Sequence, residues 1–284
     1  MVVFVILNYM TTIETQNLTK SILALQGDKR VIIVDNDSPN DAGNILKNYF
    51  LNNKQVDVLL TNSNMGFAKG NNIGYKVALK YNPKFVVILN SDIELIQDDL
   101  IAKIDNVYAE TKFAVMGPSI VVPETGMKQN PKRMELYSKS ELINRRHKLK
   151  LKLRNKKKLR IRSFFKQFKL LRKAYLKSQK NNVENILNNT EVGILHGAFV
   201  VFSEQFITNF NEPFDNRTFF YFEMEILGIR LKQKGLKSVY SPSIKVLHHQ
   251  NLSTKKAFKG EYEKTIFQIN NMIDSINVCL SYFE

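Results

Sequence analysis

The chain has 284 residues, 44% of them hydrophobic, and a formal net charge of +16, a length and composition that suit one large α/β domain with a sizeable core. Its single cysteine, Cys279, excludes an internal disulfide, and the longest apolar runs, such as Phe85 to Leu89, are strand-sized, far below the roughly 20 residues that cross a bilayer. The first apolar run has no basic region or cleavage site ahead of it, so the expected setting is the reducing cytoplasm.

Short β-branched runs at Val2 to Leu7, Val31 to Val34, Val56 to Leu60 and Phe85 to Leu89 predict buried parallel strands. Helical patterns at Ile13 to Leu25, Ala42 to Leu51 and Ala68 to Leu79 connect them, as a doubly wound sheet requires. Ligands in such sheets bind beyond the carboxyl ends of the strands, which directs attention to Asn8, Asp35 to Ser38, Asn62 to Asn64, and Asn90 to Asp92.

A further strand, Phe113 to Val122, ends at Pro123, and the chain then turns strongly basic. Residues 132–180 carry 20 of the 42 basic and two of the 26 acidic residues, a net of +18, which leaves the remainder at −2. Within this stretch Ile161, Phe164, Phe165, Phe168, Leu171, Tyr175 and Leu176 recur at helical spacing among lysines and arginines, the pattern of a helix with one apolar and one cationic face. Such a helix suits docking on an anionic membrane surface, or packing on its own domain or a second subunit. Beyond it, Val192 to Phe202 predicts a strand, Glu223 to Lys234 a helix, Ser238 to Leu247 a strand interrupted by Pro242, and Tyr262 to Leu280 a closing helix.

Among these segments, Val86 to Asp92 has the clearest chemistry: a buried strand delivering a carboxylate to an exposed tip, where Asp92 could hold Mg²⁺ or Mn²⁺ against a diphosphate. A turn or helix cap would have the same sequence. The wider pattern decides between them. Leu7-Asn8-Tyr9 is followed by Val34-Asp35-Asn36-Asp37-Ser38, then by Asn64, Gly66, Phe67, Ala68, Gly70, Asn71, Asn72 and Gly74 at fixed spacing, then by Asn90-Ser91-Asp92. Gly197-Ala198-Phe199, Tyr221-Phe222-Glu223 and His248-His249 follow. Over residues 1–125 and 190–255 the chain resembles the family-two inverting glycosyltransferases of bacterial polysaccharide assembly, the rhamnosyl and capsular types in particular.

That resemblance implies an α/β GT-A fold, a Rossmann-like mixed sheet with a basic helical insertion. It divides the chain into a nucleotide-sugar half at 1–125, the insertion at 126–190, and an acceptor-side half with the closing helix at 191–284. It implies a UDP- or dTDP-linked donor sugar, Mn²⁺ or Mg²⁺, and a glycan acceptor carried on a lipid pyrophosphate at the inner face of the cell membrane, with a homodimer as a further expectation. Leu7, Asn8, Tyr9 and Asp35 would form the base pocket; Asn64, Gly66, Lys69 and Asn71 would close over ribose and phosphates; Asn90, Ser91 and Asp92 would meet the diphosphate. His248 and His249 are the remaining metal candidates, and strand alternation argues against both facing one ion. His196, Gly197 and Ala198 would line the acceptor side.

One position departs from the family. Where a catalytic aspartate is usual, this chain has Met224, whose thioether cannot take a proton, so Glu223 or Glu225 must act as base or catalysis is lost. Both glutamates also stand where a helix start favours carboxylates for electrostatic reasons. A nucleic-acid-binding protein would explain the basic stretch alone, since the nearly neutral remainder contains no groove-reading or base-stacking module.

Overall fold

A computed structural model describes residues 1–166, 186–249 and 260–284. Four strands run parallel at one side of the sheet, β1 (Val2–Asn8), β2 (Lys29–Asp35), β3 (Val56–Leu60) and β4 (Phe85–Asn90). The short β5 (Ile93–Leu95) follows β4, and β6 (Val115–Val122) carries the hairpin partner β7 (Met127–Lys128). After β8 (Thr190–Glu191), strand β9 (Phe199–Ser203) enters antiparallel between β4 and β6, and β10 (Ser238–His248) lies parallel to β6. The order is β3-β2-β1-β4-β9-β6-β10-β5, a mixed sheet whose first half is doubly wound as predicted.

Alternation along each strand divides the core. Val2, Phe4 and Ile6 of β1 face the layer formed by α1 (Thr12–Ala24), α2 (Ala42–Tyr49) and, later in the chain, α4 (Leu100–Thr111). Val3 and Val5 face α3 (Gly66–Leu79) on the other side. Burial on both faces is why these strands read as continuous apolar runs. At Gly74 the helix comes so close that an added Cβ would lie 2.3 Å from the Val5 side chain, which holds α3 tight over β1.

The first part of the basic stretch forms α5 (Lys139–Arg154) and α6 (Lys156–Lys166). Ser138 and Glu141 start α5 with a reciprocal capping box. Leu142, Leu149 and Leu159 are buried against α8 (Glu223–Gln233) and the closing α9 (Glu261–Leu280). The short α7 (Glu204–Asn209) precedes α8 and buries Phe206 in the α3 layer. Among the described residues of the basic stretch, Leu142, Leu149 and Leu159 face inward, whereas Ile161 is exposed. Phe168, Leu171, Tyr175 and Leu176 lie outside the described residues, as do the side chains of Phe164 and Phe165.

Two predicted strands differ in detail. Regular pairing in the Val192 to Phe202 run begins only at Phe199, because the preceding residues pair elsewhere: Ile194 bridges Arg133, and Gly193 donates to the Met134 carbonyl. A Cβ on Gly193 would sit 2.5 Å from the Glu135 carbonyl carbon. β10 continues through Pro242 as one strand, with a register shift between Ser241 and Lys245.

The same close approach positions α8. A Cβ on Gly228 would lie 2.5 Å from the Gly193 carbonyl oxygen and 2.6 Å from the Leu136 side chain. Gly228→Ala is expected to lower stability by about 1–3 kcal/mol through overpacking, read as an earlier midpoint in urea unfolding; an unchanged midpoint would contradict this packing.

Candidate active site

The carboxyl ends of β1, β2 and β4 are joined by side chains. Asn8 at the tip of β1 donates from Nδ2 to Asp35 Oδ1 of β2 at 2.5 Å, while its Oδ1 accepts from Thr11 at 2.9 Å and Thr15 at 2.8 Å. Thr11 Oγ1 in turn lies 2.8 Å from Ser91 Oγ, just beyond β4. Asp35 also accepts from the Ser38 hydroxyl at 2.7 Å and the Ser38 N–H at 3.0 Å. A carboxylate has about four acceptor positions, of which these hydrogen bonds fill three. Leu7 packs under Gly70, whose added Cβ would meet it at 2.6 Å, and Tyr9 remains partly exposed beside the pocket.

The loop ahead of α3 is fixed by Asn36. Its Nδ2 donates to Asn64 Oδ1 at 3.0 Å and to the Gly66 carbonyl at 3.3 Å, and its Oδ1 accepts from the Met65 N–H at 2.8 Å. Gly66 has φ +74°, and a Cβ there would sit 2.4 Å from the Phe219 carbonyl, so conformation and contact both call for glycine. The next N–H, of Phe67, donates to that carbonyl at 2.8 Å. Asn72 bonds the Phe214 N–H and carbonyl and the Asn216 side chain, tying α3 to the loop that leads to α8. Asn71 turns back on the Phe67 carbonyl at 2.9 Å, and its Oδ1 is buried without a partner among the described residues. Lys69 is exposed.

Asp92 is buried, at 9% exposure, which corrects the expectation of an exposed tip: β10 folds back over the turn after β4 and covers it. The Asp92 carbonyl accepts from the His249 N–H, and Asp92 Oδ1 lies 3.1 Å from His248 Nε2. Strand alternation sends His249 the other way, to Glu94 at 2.7 Å. His248 Nδ1 meets Gln129 Oε1 at 2.6 Å; that oxygen can only accept, so Nδ1 carries a proton. In the neutral ring Nε2 then presents a lone pair to a carboxylate oxygen, a contact that a proton or a cation between them would satisfy. Oxygen and nitrogen ligands about 2.1 Å from an octahedral ion, at right angles, are about 3 Å apart, so Asp92 and His248 suit a shared divalent cation. Asn90, the last residue of β4, donates its N–H to the Ala198 carbonyl at 2.9 Å. No cluster of three or more His, Cys, Asp or Glu side chains suited to a metal occurs among the described residues, so phosphate oxygens would have to complete the shell.

His196 stacks edge-on to His248 with ring centroids 5.8 Å apart. Its Nδ1 accepts the Ala198 N–H at 3.2 Å, which places the proton of the neutral ring on Nε2. Burial pushes the His196 imidazole down to about 3, and the neighbouring His248 and Lys132 push in the same direction. Gly197 lies over Met224, whose Cγ would be 3.3 Å from an added Cβ, and Met224 is itself buried in the core.

The two glutamates beside Met224 have different surroundings. Tyr221 and Phe222 both adopt left-handed backbone, φ 73° and 65°, immediately before α8, an uncommon pair for non-glycine residues and a mark of local strain. Glu225 Oε1 is held by Lys132 Nζ at 2.6 Å, and the Glu225 charge, second to burial, helps push the Cys279 thiol up to about 12. Glu223 makes no ion pair among the described residues; its Oε1 and the Oε2 of Glu225 are both buried without a hydrogen-bond partner. Burial pushes Glu223 up to about 7, against its own backbone N–H; the Glu225 carboxylate adds to the rise, while Lys132 and the Tyr221 N–H oppose it.

The structure thus gathers Asn8, Asp35, Ser91 and Asp92 along one sheet edge and brings His196, Gly197 and Ala198 next to His248 and Met224. It separates His249 from Asp92 and turns Asn71 inward. Asn36 lies within the Asp35 to Ser38 stretch that its place at a strand end had already marked, without a role of its own. Two contributors were not picked out in the sequence: Lys132 and Gln129. Lys132 and Gln129 sit at the edge of a charge-rich stretch that conceals single roles.

The sequence profile for glycosyl transferase family 2 matches residues 5–178. A comparison with the curated proteins returned no match. Among solved structures, the chain is similar to the mannosyltransferase PcManGT from Pyrobaculum calidifontis in complex with GDP-Man and Mn²⁺, at 11% identity and TM-score 0.56, covering 99% of this chain and 74% of that one. It is also similar to GalNAc-T7 with UDP, GalNAc and Mn²⁺, at 13% identity and TM-score 0.54, covering 87% of this chain and 43% of that one. TarS 1–349 from S. aureus, in complex with UDP-GlcNAc, follows at 11% identity and TM-score 0.52, covering 94% of this chain and 65% of that one. The chain therefore spans less than two thirds of the last two. The mixed α/β fold is GT-A-like.

The Asn36 contacts have a measurable consequence. Asn36→Ala removes three hydrogen bonds to the loop at residues 64–66 and is expected to cost about 1–3 kcal/mol, with weaker UDP binding by calorimetry. Wild-type stability and affinity together would show that the loop is held by other contacts.

Proposed function

The chain belongs to glycosyl transferase family 2, and from that premise we propose that it moves a sugar from a nucleotide-diphosphate donor to a glycan hydroxyl with inversion at the anomeric carbon. The observation that carries the reading is the environment of Glu223: a buried carboxylate with no ion pair among the described residues, its proton affinity raised to about 7, next in the chain to Met224, which lies against Gly197. A general base works best when its proton affinity is near the working pH, and Glu225, tied to Lys132, is the poorer candidate.

In this reading Asp35 accepts the ring N–H of a uracil or thymine at its one remaining position, with Asn8 and Tyr9 beside it. Both UDP-hexoses and dTDP-rhamnose are donors of that class. The backbone around Gly66 approaches the ribose and phosphates, and Lys69 is free to reach them. Asp92 and His248 would hold a Mn²⁺ or Mg²⁺ ion, which neutralises charge on the diphosphate. Glu223 takes the proton of the acceptor hydroxyl; that oxygen forms the new bond to the anomeric carbon as the bond to the nucleotide diphosphate breaks, and the electron pair leaves with the phosphate oxygen. Met224 packs against Gly197 and shapes the floor of the acceptor side without taking part in proton transfer.

Glu223→Gln is expected to lower kcat by about 10²–10⁴-fold with donor affinity retained, and Glu225→Gln to be milder. The wild-type rate should rise with pH through about 7 and then level, as the carboxylate becomes the active form. Retained turnover in Glu223→Gln would assign the base elsewhere. Stability gives an independent readout. Glu223 holds its proton more tightly folded than unfolded, so its contribution is full below the ordinary 4.5 and is lost as pH rises through about 7. Glu223→Gln should therefore gain stability relative to wild type between pH 5 and pH 8, on the order of 2 kcal/mol; a constant difference in melting across that range would contradict the buried, raised carboxylate. For the metal assignment, Asp92→Ala should remove the Mn²⁺ dependence of UDP binding, and unchanged affinity in Mn²⁺ would reject it.

A further inference from the structure

The α5–α6 pair has two sides with different fates. Leu142, Leu149 and Leu159 are spent on the core they share with Phe222, Ile226 and α9, where they are at most 8% exposed. Facing outward, Ile143, Leu151 and Ile161 are 43%, 47% and 59% exposed. Ile143 and Leu151 are eight residues apart, which places them about 80° from each other round one helix. They stand among exposed cations. Lys148, Lys150, Lys152, Lys156, Lys157 and Lys158 make no ion pair among the described residues, and the pair's one acidic residue, Glu141, is taken by Arg133. At the elbow, Leu151, Lys152, Asn155, Lys158 and Leu159 line a shallow cavity of about 190 Å³, with lysines and leucines at a single mouth.

We propose that the outward face of α5 and α6 docks on an anionic lipid surface, with Ile143, Leu151 and Ile161 entering the headgroup region and the elbow cavity taking a lipid phosphate. Charge alone would serve any polyanion, such as a nucleic acid or a glycan phosphate, because such partners are bound through their phosphates and their binding is set by salt. Large exposed aliphatic side chains between the lysines gain nothing there, and they do gain at a bilayer interface, where apolar burial and attraction to anionic lipid add. Lipid chemistry is therefore the partner that uses both halves of the face. The apolar contribution comes from these outward residues and not from the leucine line, which α9 already covers. No helix among the described residues is long and apolar enough to cross a membrane, and the proposed attachment uses only this outward face.

Docking does not depend on the glycosyl-transfer reading; only its use does. Leu142 of α5 packs in one cluster with Phe222, the residue before Glu223, so under the proposed function the docked helices also back the segment that carries the base.

The chain has no tryptophan, which makes Leu151→Trp a clean reporter in the full-length protein. Mixed with vesicles containing phosphatidylglycerol, its emission should shift to the blue and be quenched by brominated acyl chains; pure phosphatidylcholine vesicles should do neither. Co-sedimentation with the anionic vesicles should fall at least tenfold in Lys152→Glu/Lys158→Glu, and severalfold in Ile143→Ser/Leu151→Ser, while binding of the latter variant to heparin stays at the wild-type level. A reporter that stays in water on anionic vesicles overturns the proposal. So does equal loss of vesicle and heparin binding in the serine variant, or vesicle binding that the serine substitutions leave intact, since either leaves only a general polyanion site. Circular dichroism of each variant separates lost docking from lost folding, and UDP binding measured on the same samples separates failure of docking from failure of the transferase reading.

Discussion

The structure depends on the side-chain amide of Asn8. It sits where three parallel strands end, and through Asp35, Thr11 and, by way of Thr11, Ser91 it connects the tips of β1, β2 and β4 in one hydrogen-bonded line. Each partner is buried, so a break anywhere leaves an unpaired polar group in a low-dielectric interior, which costs more than the bond itself contributes. The result is a rigid edge on which the pocket around Asp35 and the turn holding Asp92 keep a fixed separation. In the proposed reading a donor diphosphate would reach from one to the other, and rigidity there matters because misplacement of a reacting group by about 1 Å can cost a hundredfold in rate.

Around this edge, buried charge is placed unevenly. Glu225 Oε1 is paired with Lys132 and Asp92 lies beside His248, whereas Glu223 has no ion pair among the described residues; Glu223 Oε1 and Glu225 Oε2 are both buried without a hydrogen-bond partner. An unpaired buried carboxylate opposes folding, and the strained backbone at Tyr221 and Phe222 adds to the cost. The surrounding structure supplies the compensation: α8 is pressed against the Gly193 segment at Gly228 and is backed by α9, and the leucines of α5 and α6 complete that packing. The basic helices thus have a structural role on their inner side, separate from the charge on their outer side.

Much of this was legible in the sequence, and the limits have physical causes. The parallel strands and α3 were visible because burial on both faces leaves uninterrupted apolar runs with helical spacing between them. Asn8, Asp35 and Asp92 could be named because ligand sites lie at the carboxyl ends of such strands. The antiparallel entry of β9 was not legible, since pairing partners leave no local mark, and neither was the delay of its pairing to Phe199, which Arg133 and Met134 cause from some sixty residues away. The burial of Asp92 was missed for a similar reason: β10 covers it from the far end of the chain. The core contacts of Leu142 and Leu149, seven residues apart on α5, were likewise not picked out, because two leucines among so many cations leave only a weak helical stripe.

The central claim is that Asp92 and His248 jointly hold the divalent ion that accompanies a nucleotide diphosphate, with the Asn8-centred edge setting its place. Anomalous scattering from Mn²⁺ in crystals grown with UDP tests this most directly. The account predicts one peak within ligand distance of Asp92 Oδ1 and His248 Nε2, with the nucleotide's phosphates beside it and His249 still on Glu94. UDP bound with the manganese peak elsewhere, or with His248 turned away from the ion, would contradict it.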